Sequence, residues 1–165
     1  MCVEMSKVYV DKSVIECMRK EIDKVCEKEI ETGGIILGRN SEKETDIIIS
    51  HIIDGGYNAE RKSMSFKKDI KYSKKMENKI FEKYGFYYIG EWHTHPNNNM
   101  QYSLMDMESM ISISNNNLGY KMIFIISGND YKKPFKIYCY NQTTRNIEEL
   151  TYEVIEVEKI LKRGE

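Results

Sequence analysis

FYYIGEWHTHPNNNMQYSLMD, Phe86 to Asp106, holds two of the three histidines in the chain. Aromatic and β-branched residues dominate Phe86–His95, which predicts a strand. Pro96 restricts His95 to extended backbone and ends that strand. Asn97–Tyr102 is a loop, and a helix starts after Ser103, an N-cap residue with an acid three positions on. Side chains alternate along a strand, so His93 and His95 share a face with Glu91, while Trp92 and Thr94 point the other way. A strand end and a helix start joined by one loop can converge, which brings Asp106, in the first helical turn, toward both imidazoles. Two imidazoles and a carboxylate make a shell for one zinc ion with the fourth position open to water. A metal so held lowers the pKa of its water and polarises a carbonyl.

Around this segment the chain reads as strands interleaved with helices. Lys7–Val10 is a short strand. Asp11 can cap a helix running to about Ile30, because Val14, Ile15, Met18, Ile22, Val25 and Cys26 recur at spacings of three and four. Gly33 and Gly34 break that helix. Ile35–Gly38 and Asp46–Ile53 are strands separated by a polar turn, Asn40–Thr45, and Tyr57–Phe66 is a loop. A second helix spans Asp69–Tyr84. Beyond the third helix, Lys121–Ser127 (KMIFIIS) is an almost wholly apolar, central strand. Phe135–Tyr140 and Asn146–Val154 complete the sheet, and a charged tail, Glu156–Glu165, reads as helical. The order β-α-β-β-α-β-α-β-β-β predicts an α/β layered fold in which a mixed β-sheet is flanked by about three helices.

The chain has 165 residues, which suits one domain over 1–165. Its formal net charge of -1 gives no electrostatic case for nucleic acid. No apolar run approaches the roughly 20 residues of a membrane span, and MCVEMSKVYV lacks a signal-peptide pattern. Cys2, Cys17, Cys26 and Cys139 form no CxxC pair, which fits reduced thiols and a cytoplasmic location.

A hydrolase also needs a proton shuttle. Glu31, beside the flexible Gly33–Gly34 pair, is the best candidate outside the cluster, and Glu91, on the histidine face, is its rival. Ser103 can donate to the oxyanion formed when water attacks a carbonyl. Each residue has a plainer reading. His93 and His95 can be ordinary strand histidines, Ser103 and Asp106 a capping box alone, and Glu31 a solvated helix-end acid. His51 reads as a strand histidine without a role. Met105, Met107 and Met110 read as core, Trp92 as packing behind the strand, and Met100 and Tyr102 as loop residues able to touch a substrate.

ETGGIILG, Glu31–Gly38, followed by HTHPNNNMQYSLMD, His93–Asp106, resembles the JAMM, or MPN-plus (JAB domain), metallopeptidase motif: a Glu, a long gap, His-Ser/Thr-His-Pro, six residues, then Ser-x-x-Asp. Every position of that pattern is present, and the resemblance spans Lys7 to about Tyr140. It implies a cytidine-deaminase-like fold, zinc on His93, His95 and Asp106, Glu31 as general acid/base, and Ser103 as oxyanion support. It also implies a protein substrate: family members remove ubiquitin or ubiquitin-like proteins from lysines, or trim short peptides. Tyr57–Phe66 and Asn115–Tyr120 leave little room for the two insertions with which eukaryotic members grip polyubiquitin. The chain therefore looks more like the compact bacterial JAB proteins, a likeness that YIGEWHTHP, Tyr88–Pro96, shares. Some of those sit in antiphage operons of the CBASS type and remove a conjugated protein from its target. The alternatives are a peptidase that trims the tail of a ubiquitin-like or sulfur-carrier protein, and a metal-free scaffold. A deaminase is disfavoured because HxE…PCxxC is absent.

Overall fold

The computed structural model describes residues 6–40, 45–130 and 132–159. Strand β1 (Val8–Asp11) leads into helix α1 (Lys12–Val25). Then come β2 (Gly33–Asn40), β3 (Ile47–Ile52), the two-residue strands β4 (Glu60–Arg61) and β5 (Phe66–Lys67), and α2 (Ile70–Tyr84). Strand β6 (Tyr87–His95), helix α3 (Leu104–Asn115), β7 (Ile123–Gly128), β8 (Lys136–Asn141), β9 (Asn146–Leu150) and β10 (Tyr152–Ile155) follow. Eight strands form one mixed sheet in the order β10-β1-β3-β2-β6-β7-β8-β9, and β4 and β5 pair as a separate hairpin.

The two faces of the sheet are covered by different helices. On one face Val8, Val10, Ile36, Ile49, Ile123 and Ile125 pack with Val14 and Met18 of α1. On the other, α2 covers Ile35 and Leu37 with Tyr72, Met76 and Ile80. Beside it α3 sets Met110 and Ile113 on Phe124, Ile126 and Tyr138. Alternate residues of β2 and of β7 thus join opposite cores, which is why both strands read as apolar runs. This is the expected α/β architecture, a mixed sheet between three helices.

Five local expectations need correction. Helix α1 stops at Val25 rather than Ile30, because Val25 is the last residue of its buried stripe; a single 3-10 turn, Cys26–Lys28, and the left-handed Glu29 (φ 50°) carry the chain away. Gly33 and Gly34 do not end the helix but begin β2. A Cβ on Gly33 would stand 2.2 Å from the Trp92 carbonyl oxygen, and one on Gly34 1.9 Å from that of Ile53, so close strand approach excludes any side chain there. Tyr57–Phe66 contains β4 and runs into β5, strands too short to leave a periodic trace. Asn146–Val154 is not one strand. Thr151 divides β9 from β10, which lie at opposite ends of the strand order, so the sheet curls until its two edges meet. Phe135 and Tyr152 stack at that seam, 4.5 Å between ring centroids, and the Tyr152 hydroxyl donates to the Phe135 carbonyl at 3.2 Å. Residues 156–159 are not helical, 160–165 lie outside the described residues, and 41–44 of the expected polar turn do so too.

The feature that aims the histidines is a bulge. In the β2–β6 ladder Ile36 pairs with Gly90 but Leu37 with Tyr88, which leaves Ile89 as an extra residue. Ile89 and Trp92, three apart, therefore join the α1-side core together. Strict alternation would put Ile89 on the face of Glu91 and the histidines; the bulge removes it.

Candidate metal centre

His93 and His95 end β6, and Asp106 lies in the first turn of α3. The capping box forms as the sequence suggests. The Ser103 Oγ accepts the Asp106 N–H at 3.1 Å, and the Asp106 Oδ2 accepts the Ser103 N–H at 2.8 Å. The cap holds the Asp106 side chain in place and leaves both its oxygens facing β6. Asp106 Oδ1 lies 3.0 Å from His93 Nε2, and Oδ2 lies 3.1 Å from His95 Nε2. The two Nε2 atoms are 3.1 Å apart. Among the described residues this is the one group of three His, Cys, Asp or Glu side chains whose donor atoms all lie within 4.8 Å of one another. Burial raises the Asp106 carboxyl, but His93, His95 and the Ser103 N–H outweigh it and hold the group far below the usual carboxylate range.

His95 is buried, and its other ring nitrogen, Nδ1, lies 2.6 Å from the Asn99 carbonyl oxygen. A carbonyl can only accept, so Nδ1 carries a proton, and Nε2 is the ring nitrogen left to serve a metal. The donor set, two imidazole nitrogens and a carboxylate with one tautomer fixed, fits a divalent transition metal and zinc best.

Glu31 reaches the site through strand register. Gly33 pairs with His93, and the Thr94 N–H donates to the Thr32 carbonyl at 2.8 Å, which puts Glu31 at the level of His95. Its backbone is held on both sides. The Glu31 N–H donates to the Lys62 carbonyl at 2.8 Å, the Thr32 N–H donates to Thr94 Oγ1 at 3.0 Å, and Arg61 Nε donates to Thr32 Oγ1 at 3.0 Å. Burial raises the Glu31 carboxyl above the ordinary carboxylate range; the two histidines oppose the shift and Asp106 adds to it. Glu91, the rival base, is engaged elsewhere: Lys68 forms an ion pair with it and the Tyr88 hydroxyl donates to it.

Two grooves meet at the cluster. A groove of about 650 Å³ runs past Glu31, His95, Tyr102, Ser103 and Leu104. A smaller one of about 280 Å³ runs past Glu31, His93, Ser103, Asp106 and Phe124. Met64, at the tip of the β4–β5 hairpin, is 82% exposed and borders both, as does Met105 at 61%. Sequence reasoning missed Met64, which lay in an apparent loop, and placed Met105 in the core; helical spacing does not tell a groove wall from an interior. Met100, read as a residue able to touch substrate, instead packs with the α3-side core. Trp92 packs behind the strand, and its Nε1 donates to the Ile53 carbonyl at 2.9 Å.

A mixed sheet thus lies between helices, with a His-x-His strand end facing a helix-start aspartate. The chain belongs to the family described as prokaryotic homologues of the JAB domain, whose model matches residues 15–140. It is 34% identical over 92 residues to a probable metalloprotease of Sinorhizobium fredii, covering 54% of each protein. It is 28% identical over 114 residues to a CD-NTase/cGAS isopeptidase of Enterobacter hormaechei, covering 69% of this chain and 59% of that one. The chain thus spans little more than half the length of these two relatives. The solution structure of protein DSY2949 from Desulfitobacterium hafniense superposes with a TM-score of 0.66 at 15% identity, over 91% of this chain and 94% of the other. That likeness shows the fold alone. Among the described residues, no helix is long and apolar enough to cross a membrane.

Proposed function

We propose that the chain is a zinc-dependent isopeptidase that releases a ubiquitin-like or similarly C-terminally conjugated protein from target lysines, in the setting of antiphage defence. The observation that carries this reading is the convergence of His93, His95 and Asp106 on one point, with Glu31 and Ser103 lining the same grooves. Membership of the JAB family and a relative named an isopeptidase support the reaction class.

His93 Nε2, His95 Nε2 and Asp106 would hold the metal, which supplies Lewis acidity at the scissile carbonyl and activates water. Glu31 is the proton carrier. Its carboxylate takes a proton from the attacking water and returns it to the leaving lysine amine as the tetrahedral species collapses. Burial makes it a stronger base than a solvated glutamate. Ser103 Oγ already accepts the Asp106 N–H, yet its hydroxyl hydrogen is free to rotate toward the oxyanion. The grooves on either side of the cluster give the two halves of an isopeptide separate channels, one for the tail and one for the lysine-bearing partner.

The test is to incubate a lysate of the source cells, enriched for conjugated proteins, with wild type and with Glu31→Ala, and to map new chain ends by mass spectrometry. New C-terminal glycines paired with freed lysines, seen only with wild type, are the expected result. New C-termini without freed lysines would replace isopeptide cleavage with tail trimming.

A further inference from the structure

We infer that Tyr138 and Asn98 are positioning residues of the metal centre, acting through the Asn97–Tyr102 loop on the tautomer of His95. The inference rests on the reading of His93, His95 and Asp106 as metal ligands. His95 offers Nε2 to a metal only while Nδ1 keeps its proton, and the acceptor for that proton is the Asn99 carbonyl. Asn99 lies on an exposed loop, so the carbonyl holds the ring only as firmly as the loop itself is held.

Two side chains hold it, one on each side of Asn99. Asn98 Oδ1 accepts the Asp130 N–H at 2.9 Å, which ties the loop to the segment after β7. The Tyr138 hydroxyl, on β8, donates to the Met100 carbonyl at 2.8 Å. Asn98 does this from left-handed backbone, φ 59°, which asparagine tolerates better than most residues. Gly128 makes room for it: a Cβ there would stand 2.5 Å from Asn98 Oδ1. Gly128 is also the partner of His95 in the β6–β7 ladder, so the same strand end meets the ligand and the loop.

Tyr138 is 1% exposed, and its ring packs edge-on against Tyr102 with centroids 5.2 Å apart. Burial raises its phenol to about 12, so the donor keeps its proton across the physiological range. Neither residue is specified by the His-x-His-Pro and Ser-x-x-Asp pattern. Within the loop, Asn97 Oδ1 accepts the Asn99 N–H at 3.0 Å and Asn99 Oδ1 accepts the Gln101 N–H at 3.1 Å, which stiffen the segment between the two anchors.

Tyr138→Phe deletes the hydroxyl and keeps the buried ring. Asn98→Gly deletes the amide and keeps the left-handed backbone. Zinc affinity of the full chain is measured by competition with a chromophoric chelator, and the His95 tautomer by long-range proton–nitrogen NMR of the imidazole. Thermal unfolding of the metal-free protein serves as control. Each variant is expected to bind zinc about tenfold or more weakly, to shift His95 from the Nδ1–H form to a mixture, and to unfold near the wild-type temperature. Zinc affinity within twofold of wild type in both variants, with an unchanged His95 spectrum, would overturn the proposal while leaving the metal reading intact. A wild-type chain that takes up no zinc would overturn the metal reading itself. If Tyr138→Phe does not fold, Asn98→Gly decides alone.

Discussion

His93 Nε2 and His95 Nε2 stand 3.1 Å apart, each about as far from one oxygen of Asp106. Two imidazole nitrogens and a carboxylate at these separations make a donor set that one divalent cation can join, so removing a bound metal should cost stability. At a hundredfold excess over Kd, bound zinc adds about 2.7 kcal/mol. A chelator is expected to lower the melting temperature of wild type and leave that of His93→Ala or His95→Ala unchanged, as calorimetry and elemental analysis will show. Stoichiometric zinc in purified His95→Ala would mean that the ligand set is wrong.

Glu31 is proposed as proton carrier and not as ligand, so charge and chemistry separate in a conservative variant. Glu31→Gln should lose about a hundredfold to ten-thousandfold in kcat while its zinc content stays at wild-type level. Turnover rate and metal analysis on the same preparation check both halves. Undiminished turnover would transfer the role to another group.

Ser103 has two tasks that substitution can pull apart. Glycine replaces an N-cap serine at a cost of only a few tenths of a kcal/mol, yet it brings no hydroxyl. Ser103→Gly should then keep nearly all its stability and lose about a hundredfold or more in kcat, the scale of a missing oxyanion donor. Ser103→Thr should recover most of the rate. Equal kcat in wild type and the glycine variant would leave Ser103 with the cap alone.

His51, read from sequence as a strand histidine without a role, sets part of the acid stability. Burial holds its ring down to about 4, Lys159 and Lys83 add to this, and Asp11 opposes it. The ring stacks on Tyr84 at 5.5 Å. In the unfolded chain the same group titrates near 6.5, so the folded state binds fewer protons between the two values. The stability from the neutral ring is complete above about pH 6.5 and is lost as pH falls toward 4. Urea midpoints across that window should fall with pH in wild type and fall less steeply in His51→Gln; parallel curves would contradict the assignment.

Asp11 joins distant parts of the chain. It caps α1 by accepting the Ser13 N–H at 3.2 Å, accepts the Val157 N–H at 2.8 Å, and pairs with Lys159 at 2.7 Å. Burial raises its carboxyl, but these partners bring it down to about 2. Its contribution is therefore present above the unfolded value near 3.9 and is lost as pH falls toward 2. Asp11→Ala should cost roughly 2–3 kcal/mol in chemical denaturation at neutral pH. A loss under about 0.5 kcal/mol, the scale of an ordinary surface change, would show these bonds to be incidental.

What the sequence disclosed follows the range of each signal. The strand, loop and helix start that carry His93, His95 and Asp106 lie within one short segment, so alternation and capping sufficed to bring them together. Glu31 lies far off in the chain, and its arrival depends on the β2–β6 register, which no local pattern encodes; only its place beside the Gly33–Gly34 pair and the motif pointed to it. The bulge at Ile89 was invisible because a strand with one extra residue still looks like a strand. Thr151 carries no turn signal, so β9 and β10 read as one. The Asn99 carbonyl left no trace either, since any residue would supply the same atom.

The seam at Thr151 also sets a schedule for biosynthesis. β10, one of the two neighbours of β1 in the sheet, leaves the ribosome long after β1 does, and the Val157 N–H reaches back to Asp11 across 146 positions. Contacts of such long sequence separation slow folding. Until β10 has been translated, the nascent chain carries an unpaired β1 edge able to recruit other strands. A sheet that completes the β1 edge only with β10 leaves that edge open through the synthesis of every strand between the two.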